Sequence, residues 1–240
     1  MSVTHLILVP GLMCDARVWE DQARELGLST TISIPDHGSA DSLGAMAEAI
    51  IATAPDRFAI AGHSMGGRVA FEVFRRVPER LQGIALLDTA YAARAAGAEG
   101  EEEAAKRYAL LDIARRNGTR TMGAVWVQKM VHRDRLFETS LMEAILDMFG
   151  RKSCDIFEAQ IKALLDRPDA EPLLAGIKCP TILLCGRQDT WSTVEVHEQM
   201  AAKIRNSRLV VIEDCGHMST MERPGEVTAA MQEWLTSLSA

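Results

Sequence analysis

Residues 59–61, Ala-Ile-Ala, end a short apolar run of strand character, and residues 68–74, Arg-Val-Ala-Phe-Glu-Val-Phe, open a helical pattern. Only Gly62-His63-Ser64-Met65-Gly66-Gly67 stands between them, with no linker residues, so the chain must turn at Ser64 itself. A turn this sharp holds the serine backbone in a strained conformation and leaves room only for small residues two positions to either side. Gly62 and Gly66 meet that demand. The arrangement exposes the Ser64 hydroxyl as a nucleophile, and the Met65 N–H, in the first turn of the new helix, faces any oxygen held beside it.

A serine hydroxyl needs a base to take its proton and a carboxylate to orient that base. Residues 180–185, Pro-Thr-Ile-Leu-Leu-Cys, read as a buried strand, and Gly186-Arg187-Gln188-Asp189 places an acid just past its end. Residues 209–212, Leu-Val-Val-Ile, read as another strand, and Glu213-Asp214-Cys215-Gly216-His217 brings a histidine to the same edge.

Strands and helices alternate along the first third of the chain. Strands are expected at residues 5–9, 31–34 and 57–61, helices at 17–26 and 42–53, and a further helix from Ser64 to about Val77, where Pro78 ends it. Residues 83–87 give the next strand. Such alternation predicts an α/β fold, a doubly wound and mostly parallel sheet of about six strands covered on both faces. Between about residues 91 and 176 it stops, and the sequence reads as an inserted helical cap between core segments 1–90 and 177–240. Residues 99–117 form one helix stopped by Gly118, and Leu141, Ile145, Met148 and Phe149, then Phe157, Ile161, Leu164 and Leu165, mark two amphipathic segments.

These residues resemble the α/β-hydrolase superfamily, in its serine-nucleophile, esterase or enol-lactonase-like branch with a helical cap. The match runs over nearly the whole chain through Leu8-Val9-Pro10-Gly11-Leu12, Gly62-His63-Ser64-Met65-Gly66-Gly67, Gly186-Arg187-Gln188-Asp189, and Gly216-His217 followed by Glu222-Arg223-Pro224. Many relatives carry His-Gly where this chain has Pro10-Gly11, a change that spares the backbone N–H groups needed there. The resemblance implies a strand order of 2-1-3-4-5-6, with the ligand site where the order reverses. It implies Ser64 as nucleophile, His217 as base and Asp189 as orienting acid, with an oxyanion hole from the N–H groups of Leu12 and Met65. Asp88, after the fourth strand, is the rival acid, because some relatives draw it from that position. The same resemblance makes the insertion the roof of the pocket.

Within the insertion, Trp126 and Met130 lie in its most apolar stretch at i, i+4 spacing, which puts both on one helix face. They and His63, beside the nucleophile, are candidate pocket residues. A lining of this kind suits a small-molecule substrate with an apolar acyl or ring portion. His37, in the loop after the second strand, is placed at the edge of the cleft, while His5, His132 and His197 read as structural or solvent-facing.

The chain has 240 residues, 48% of them hydrophobic, which suffices for one core and argues against a second domain. A net charge of −7 counts against nucleic acid or an anionic membrane as partner. No apolar run has the length of a membrane span, and the first residues read straight into a strand rather than a leader, so a cytoplasmic location is expected. The cysteines, 5 in number, include no Cys-X-X-Cys pair and read as reduced thiols, with Cys14 and Cys215 in loops bordering the cleft. No metal-ligand spacing and no phosphate or dinucleotide loop is present, so neither metal nor cofactor is expected. Oligomeric state is open. The expected activity is hydrolysis of a small carboxylic ester through an acyl-enzyme on Ser64. Carbon–carbon bond hydrolysis and enol-lactone opening use the same residues and stay open, as does, in another class, a slow-turnover receptor for a small molecule.

Overall fold

The computed structural model describes residues 5–238, so residues 1–4 ahead of the expected first strand lie outside the described residues. The first strand, β1, runs His5–Val9, followed by a 3-10 turn and helix α1, Glu20–Leu26. Next come β2, Thr31–Ser33, helix α2, Leu43–Thr53, and β3, Phe58–His63. Helix α3, Met65–Arg76, starts immediately after Ser64, and β4 follows at Leu81–Leu87. All six strands, including β5 at Thr181–Gly186 and β6 at Ser207–Ile212, pair in parallel in the order β2-β1-β3-β4-β5-β6. This is the order implied by the resemblance.

The strands are made for burial on both faces. Every residue of β3 and β5 is buried, which explains their unbroken apolar reading, whereas β6 at the sheet edge is only half covered. Chain order reverses between β1 and its neighbours β2 and β3, so the loop after β1 and the turn after β3 emerge side by side. The reading of α1 from residue 17 is corrected at its start, because Ala16–Trp19 is a 3-10 turn capped by the Asp15 carboxylate, which accepts from the Arg17 N–H.

Between β4 and β5 the described residues contain helices and no strand: α4 at Ala98–Asn117, α5 at Thr119–Trp126, α6 at Thr139–Gly150, α7 at Cys154–Leu165 and the short α8 at Glu171–Leu174. Helix α4 packs on α5 and α7, and α5 on α6. Ile145, Met148 and Phe149 of α6, with Phe157, Ile161 and Leu164 of α7, form the buried side of this layer. After β5 come α9, Val194–Lys203, then β6, the single turn α10, Ser219–Glu222, and the closing helix α11, Pro224–Ser237.

Trp126 and Met130 do not lie in one continuous α-helix. The α-helix ends at Trp126 and tightens into a 3-10 turn over Val127–Lys129, yet both residues line the same cavity.

Candidate active site

The turn at Ser64 takes the conformation its sequence demands, with φ 54° and ψ −117°, outside the region L-residues ordinarily occupy. Strain of this kind costs about 1–3 kcal/mol and persists only where neighbours over-determine it. The Ser64 N–H donates to the Leu87 carbonyl at 2.8 Å, and the Ser64 carbonyl accepts from the Thr89 hydroxyl at 2.7 Å and the Gly67 N–H at 3.0 Å. Glycine is obligatory on both sides for steric reasons. A Cβ on Gly62 would stand 2.2 Å from the Gly66 carbonyl oxygen, and one on Gly66 would stand 2.1 Å from that of Val9.

His217 Nε2 lies 2.8 Å from the Ser64 hydroxyl oxygen, and His217 Nδ1 lies 2.7 Å from an Asp189 carboxylate oxygen. The second Asp189 oxygen accepts from the N–H groups of Trp191 at 2.8 Å and Ser192 at 3.1 Å. Burial works against the Asp189 charge, but His217 and these donors outweigh it and hold its pKa down to about 2. Burial likewise opposes a charge on His217. Asp189, and further off Asp88 and Glu222, more than offset it, so the imidazole pKa is raised. The carboxylate therefore fixes the Nδ1–H tautomer and leaves Nε2 free to accept the serine proton.

Asp88 is a second buried carboxyl with different partners. It accepts from the Ser219 hydroxyl, from the Gly186 N–H at 3.2 Å and from the Ser219 N–H at 3.3 Å, and it lies 3.5 Å from His63 Nε2. Burial and repulsion by Asp189 raise its pKa well above the carboxylate range. Of the two acids named from sequence, the one bonded to the His217 ring is Asp189. Asp214 turns outward to pair with Arg223 at 3.5 Å.

The histidine loop is secured by a residue that the sequence offers only as part of Glu222-Arg223-Pro224. Glu222 is buried and accepts from the N–H groups of Gly216 and Met218, each at 3.1 Å, and of His132 at 2.8 Å. The Met130 carbonyl accepts from the His217 N–H at 2.6 Å, so Met130, which lines the cavity, also holds the histidine loop through its backbone. His63 lines the cavity and also donates from Nε2 to the His217 carbonyl at 2.8 Å. Its burial depresses its pKa to about 3. His197 is structural, with Nδ1 3.0 Å from the Thr193 carbonyl. His37 is buried within the loop after β2, its pKa lowered to about 4 by burial, and it is not among the residues lining the cavity. Cys14 lines the cavity but burial lifts its thiol to about 12, and the Cys215 thiol is raised likewise, so neither is a ready nucleophile.

Ser64 and His217 open into a cavity of about 730 Å³, large enough for a small organic substrate. Leu12 and Met65 border it beside the serine, and among the described residues the Leu12 N–H meets no backbone acceptor. The Met65 N–H, first in α3, is one of the donors a helix leaves unpaired. Trp126 lies across the cavity, stacked on Trp191 at 5.8 Å between ring centroids, and Trp191 stands edge-on to His217 at 4.9 Å. The sequence reading misses Trp191, although its place two residues after Asp189 is the signal that points to it. The lining departs from a wholly apolar reading: it includes Arg68, Lys106, Arg107, Lys129, Arg167 and Glu103, and Glu103 pairs directly with Arg107 and Arg167. Among the described residues, no group of His, Cys, Asp and Glu has an arrangement that could hold a metal ion, and no helix is long and apolar enough to cross a membrane.

Comparison with known proteins agrees with this architecture. A pimeloyl-[acyl-carrier protein] methyl ester esterase of Nitrosomonas europaea is 24% identical over 91% of this chain and 90% of its own length. An (E)-2-((N-methylformamido)methylene)succinate hydrolase of Acinetobacter baylyi is 26% identical over 96% of this chain and 89% of its own. Among solved structures, a thermophilic esterase from Thermogutta terrifontis superposes with a TM-score of 0.86 at 27% identity, covering 100% of this chain and 92% of that one. The enol-lactonase of Burkholderia xenovorans LB400 shares the fold, with a TM-score of 0.84 at 21% identity over 98% and 92% of the two chains. The profile of the alpha/beta hydrolase family matches residues 6–231, and the chain belongs to that family.

Proposed function

We propose that the protein is a serine hydrolase of small carboxylic esters that works through an acyl-enzyme on Ser64. The observation that carries this reading is the unbroken relay from the Ser64 hydroxyl to His217 at 2.8 Å and on to Asp189 at 2.7 Å, at the wall of a substrate-sized cavity. His217 takes the hydroxyl proton as the serine oxygen attacks the ester carbonyl, and Asp189 stabilises the imidazolium that forms. The tetrahedral oxyanion lies against the N–H groups of Leu12 and Met65, each such donor being worth roughly 2.7–4 kcal/mol in comparable sites. His217 returns the proton to the leaving alcohol, then activates a water that releases the acid.

Residues 91–176 act as a cap in this reading, with Trp126 and the Met130 side chain contributing to the pocket roof. The two esterase relatives support ester over other substrates; carbon–carbon cleavage and lactone opening on the same residues form the second reading, the latter in keeping with the enol-lactonase.

The test is Ser64→Ala against wild type, both checked for folding. Wild type turns over a short-chain aryl ester and is labelled at Ser64 by a fluorophosphonate, and the variant does neither. Turnover retained by the variant rules Ser64 out as nucleophile. Failure of wild type to label, together with tight binding of a small molecule, makes the protein a receptor instead.

A further inference from the structure

The molecule carries a net charge of −7, yet the cavity at its nucleophile is lined by five cationic side chains and one carboxylate, that of Glu103. The carboxylate is already committed. Glu103 accepts from Arg107 Nε and Nη2 at 3.0 and 2.8 Å, and from Arg167 Nη1 and Nη2, each at 2.7 Å. Lys106 pairs outward with Glu102 at 2.7 Å.

Among the described residues Lys129 and Arg68 are left without a carboxylate partner, and the Arg68 side chain makes a single bond, from Nη1 to the Ala92 carbonyl at 2.8 Å. Burial, and then repulsion from Arg167 and Arg107, lower its pKa to about 9, with Glu103 opposing, so it remains a cation at neutral pH in a place that disfavours cations. A planar guanidinium with free donors and no counter-charge is suited to bidentate binding of a carboxylate.

The position of Arg68 gives the requirement a length. It follows Ser64 by four residues on α3, about one helical turn or ~6 Å along the axis, and helical side chains lean towards the N-terminus, here towards Ser64. An anion on Arg68 is therefore within a few bonds of a carbonyl at Ser64, on the same molecule.

We propose that Arg68 is the anchor for a carboxylate carried by the substrate, so that the substrate class is a half-ester of a short dicarboxylic acid. This rests on the ester-hydrolase reading for the bond that is cleaved, but the anion site itself does not. Arg107 and Arg167, held by Glu103, supply the surrounding positive potential that draws the anion in, while Trp126 and Leu110 cover the carbon chain between the two ends.

Phenol release from monophenyl glutarate and from its methyl phenyl diester gives the test. In wild type kcat/KM favours the anionic ester by roughly tenfold to a hundredfold, the range of a charge-assisted hydrogen bond, and the preference shrinks as salt is added. Arg68→Gln collapses the ratio towards one, chiefly through KM for the anionic ester, and Arg68→Lys restores part of it. A ratio at or below one in wild type, or an unchanged ratio in Arg68→Gln, overturns the proposal. Binding of glutarate to Ser64→Ala, followed by calorimetry, reads the site without turnover, and the double variant with Arg68→Gln binds at least tenfold more weakly. If glutarate binds through Arg68 while wild type cleaves no ester, the anion site stands and the hydrolase reading falls. If both esters are cleaved alike and glutarate does not bind, the anion site alone falls.

Discussion

The sheet edge around Ser64 and the helical layer above it are held by different means. At the sheet edge the backbone does most of the work: Gly62 and Gly66 admit a contact that no Cβ allows, and Asp189 and Glu222 each gather backbone N–H groups. The helical layer is tied down by side chains, through Arg151 to Asp15 at 2.8 Å, Lys152 to Asp36 at 3.0 Å and Lys162 to Asp41 at 2.9 Å. The exposed Arg151 and Lys162 pairs contribute only about 0–1 kcal/mol each, while in the third the buried Lys152 meets an exposed Asp36. A tie of neutral groups differs. Gln160 of α7, 1% exposed, accepts from the Met13 N–H at 2.9 Å and donates to the Gly38 carbonyl at 3.1 Å, joining the helical layer to the loop that carries Leu12. The contrast teaches that the chemistry is placed by geometry intolerant of change, while the shape of the pocket is set by contacts that can be exchanged one by one.

The sharpest break of that comparison lies between the two buried carboxyls. Asp189→Asn should lower kcat by roughly 10⁴, because an amide cannot hold His217 in the needed tautomer. Asp88→Asn should lower it less than about tenfold, since the His217 ring is bonded to Asp189, although the single amide oxygen can accept from Ser219 or from Gly186 and not from both. Steady-state kinetics on one aryl ester compares them, and equal losses would transfer the orienting role to Asp88.

Next in size is a pair of glycine substitutions, one in each region. Gly66→Ala sets a Cβ 2.1 Å from the Val9 carbonyl oxygen, backbone against backbone, and should cost more than about 4 kcal/mol in urea unfolding or prevent folding. Gly118→Ala, between α4 and α5 at φ 86° and ψ 156°, meets open space and should cost about 1–3 kcal/mol for a backbone conformation essentially confined to glycine. A mild Gly66→Ala would mean that the turn at Ser64 is less constrained than its contacts require.

The sheet edge is also the more legible region in the sequence, for the same reason. Gly62, Ser64 and Gly66 announce a turn because backbone sterics leave few residue choices there, and Asp189 and His217 sit at strand ends that apolar runs reveal. Strand order needs the family resemblance, since pairing is not written in any one strand. The roles of Asp88, Glu222 and Gln160 escape a sequence reading because they depend on which backbone groups lie nearby after folding. The apolar reading of the pocket misses Arg68 for a like cause. An arginine in the first turns of a helix looks solvated until the insertion folds over it, and the end of the α-helix at Trp126 comes from a 3-10 turn with no clear signature.

Gln160 tests whether one exchangeable contact can reach the chemistry. Gln160→Leu leaves the Met13 N–H and the Gly38 carbonyl without their buried partner, at about 1–3 kcal/mol each. With the Leu12 N–H one residue away, kcat should fall about tenfold with KM little changed. Lys162→Ala, which removes only an exposed pair, should stay within about 0.5 kcal/mol by thermal unfolding and keep kcat. If Gln160→Leu loses stability but keeps kcat, the helical layer holds the loop without placing it.

The smallest effect separates the histidines by sign. Buried His63 and His37 have pKa values lowered to about 3 and about 4, so between those values and the ordinary 6.5 the unfolded chain binds protons that the folded chain refuses. Their neutral burial therefore makes stability rise with pH through that window and fall on acidification. His217 has the opposite sign. Its raised pKa favours the folded state at low pH, a contribution lost as pH rises through its folded value. In the proposed mechanism activity follows His217 alone, because only its neutral ring can accept the Ser64 proton, so the acid limb of kcat/KM should lie above pH 6.5. His37→Gln should reduce the stability lost between pH 6.5 and 4.5 by roughly 1–2 kcal/mol, since each tenfold difference in proton affinity between the folded and unfolded chain is worth about 1.4 kcal/mol, and should leave that limb where it was. A limb that moves with His37 would tie the loop after β2 to the relay, and would place His37 in the same constrained region as Ser64.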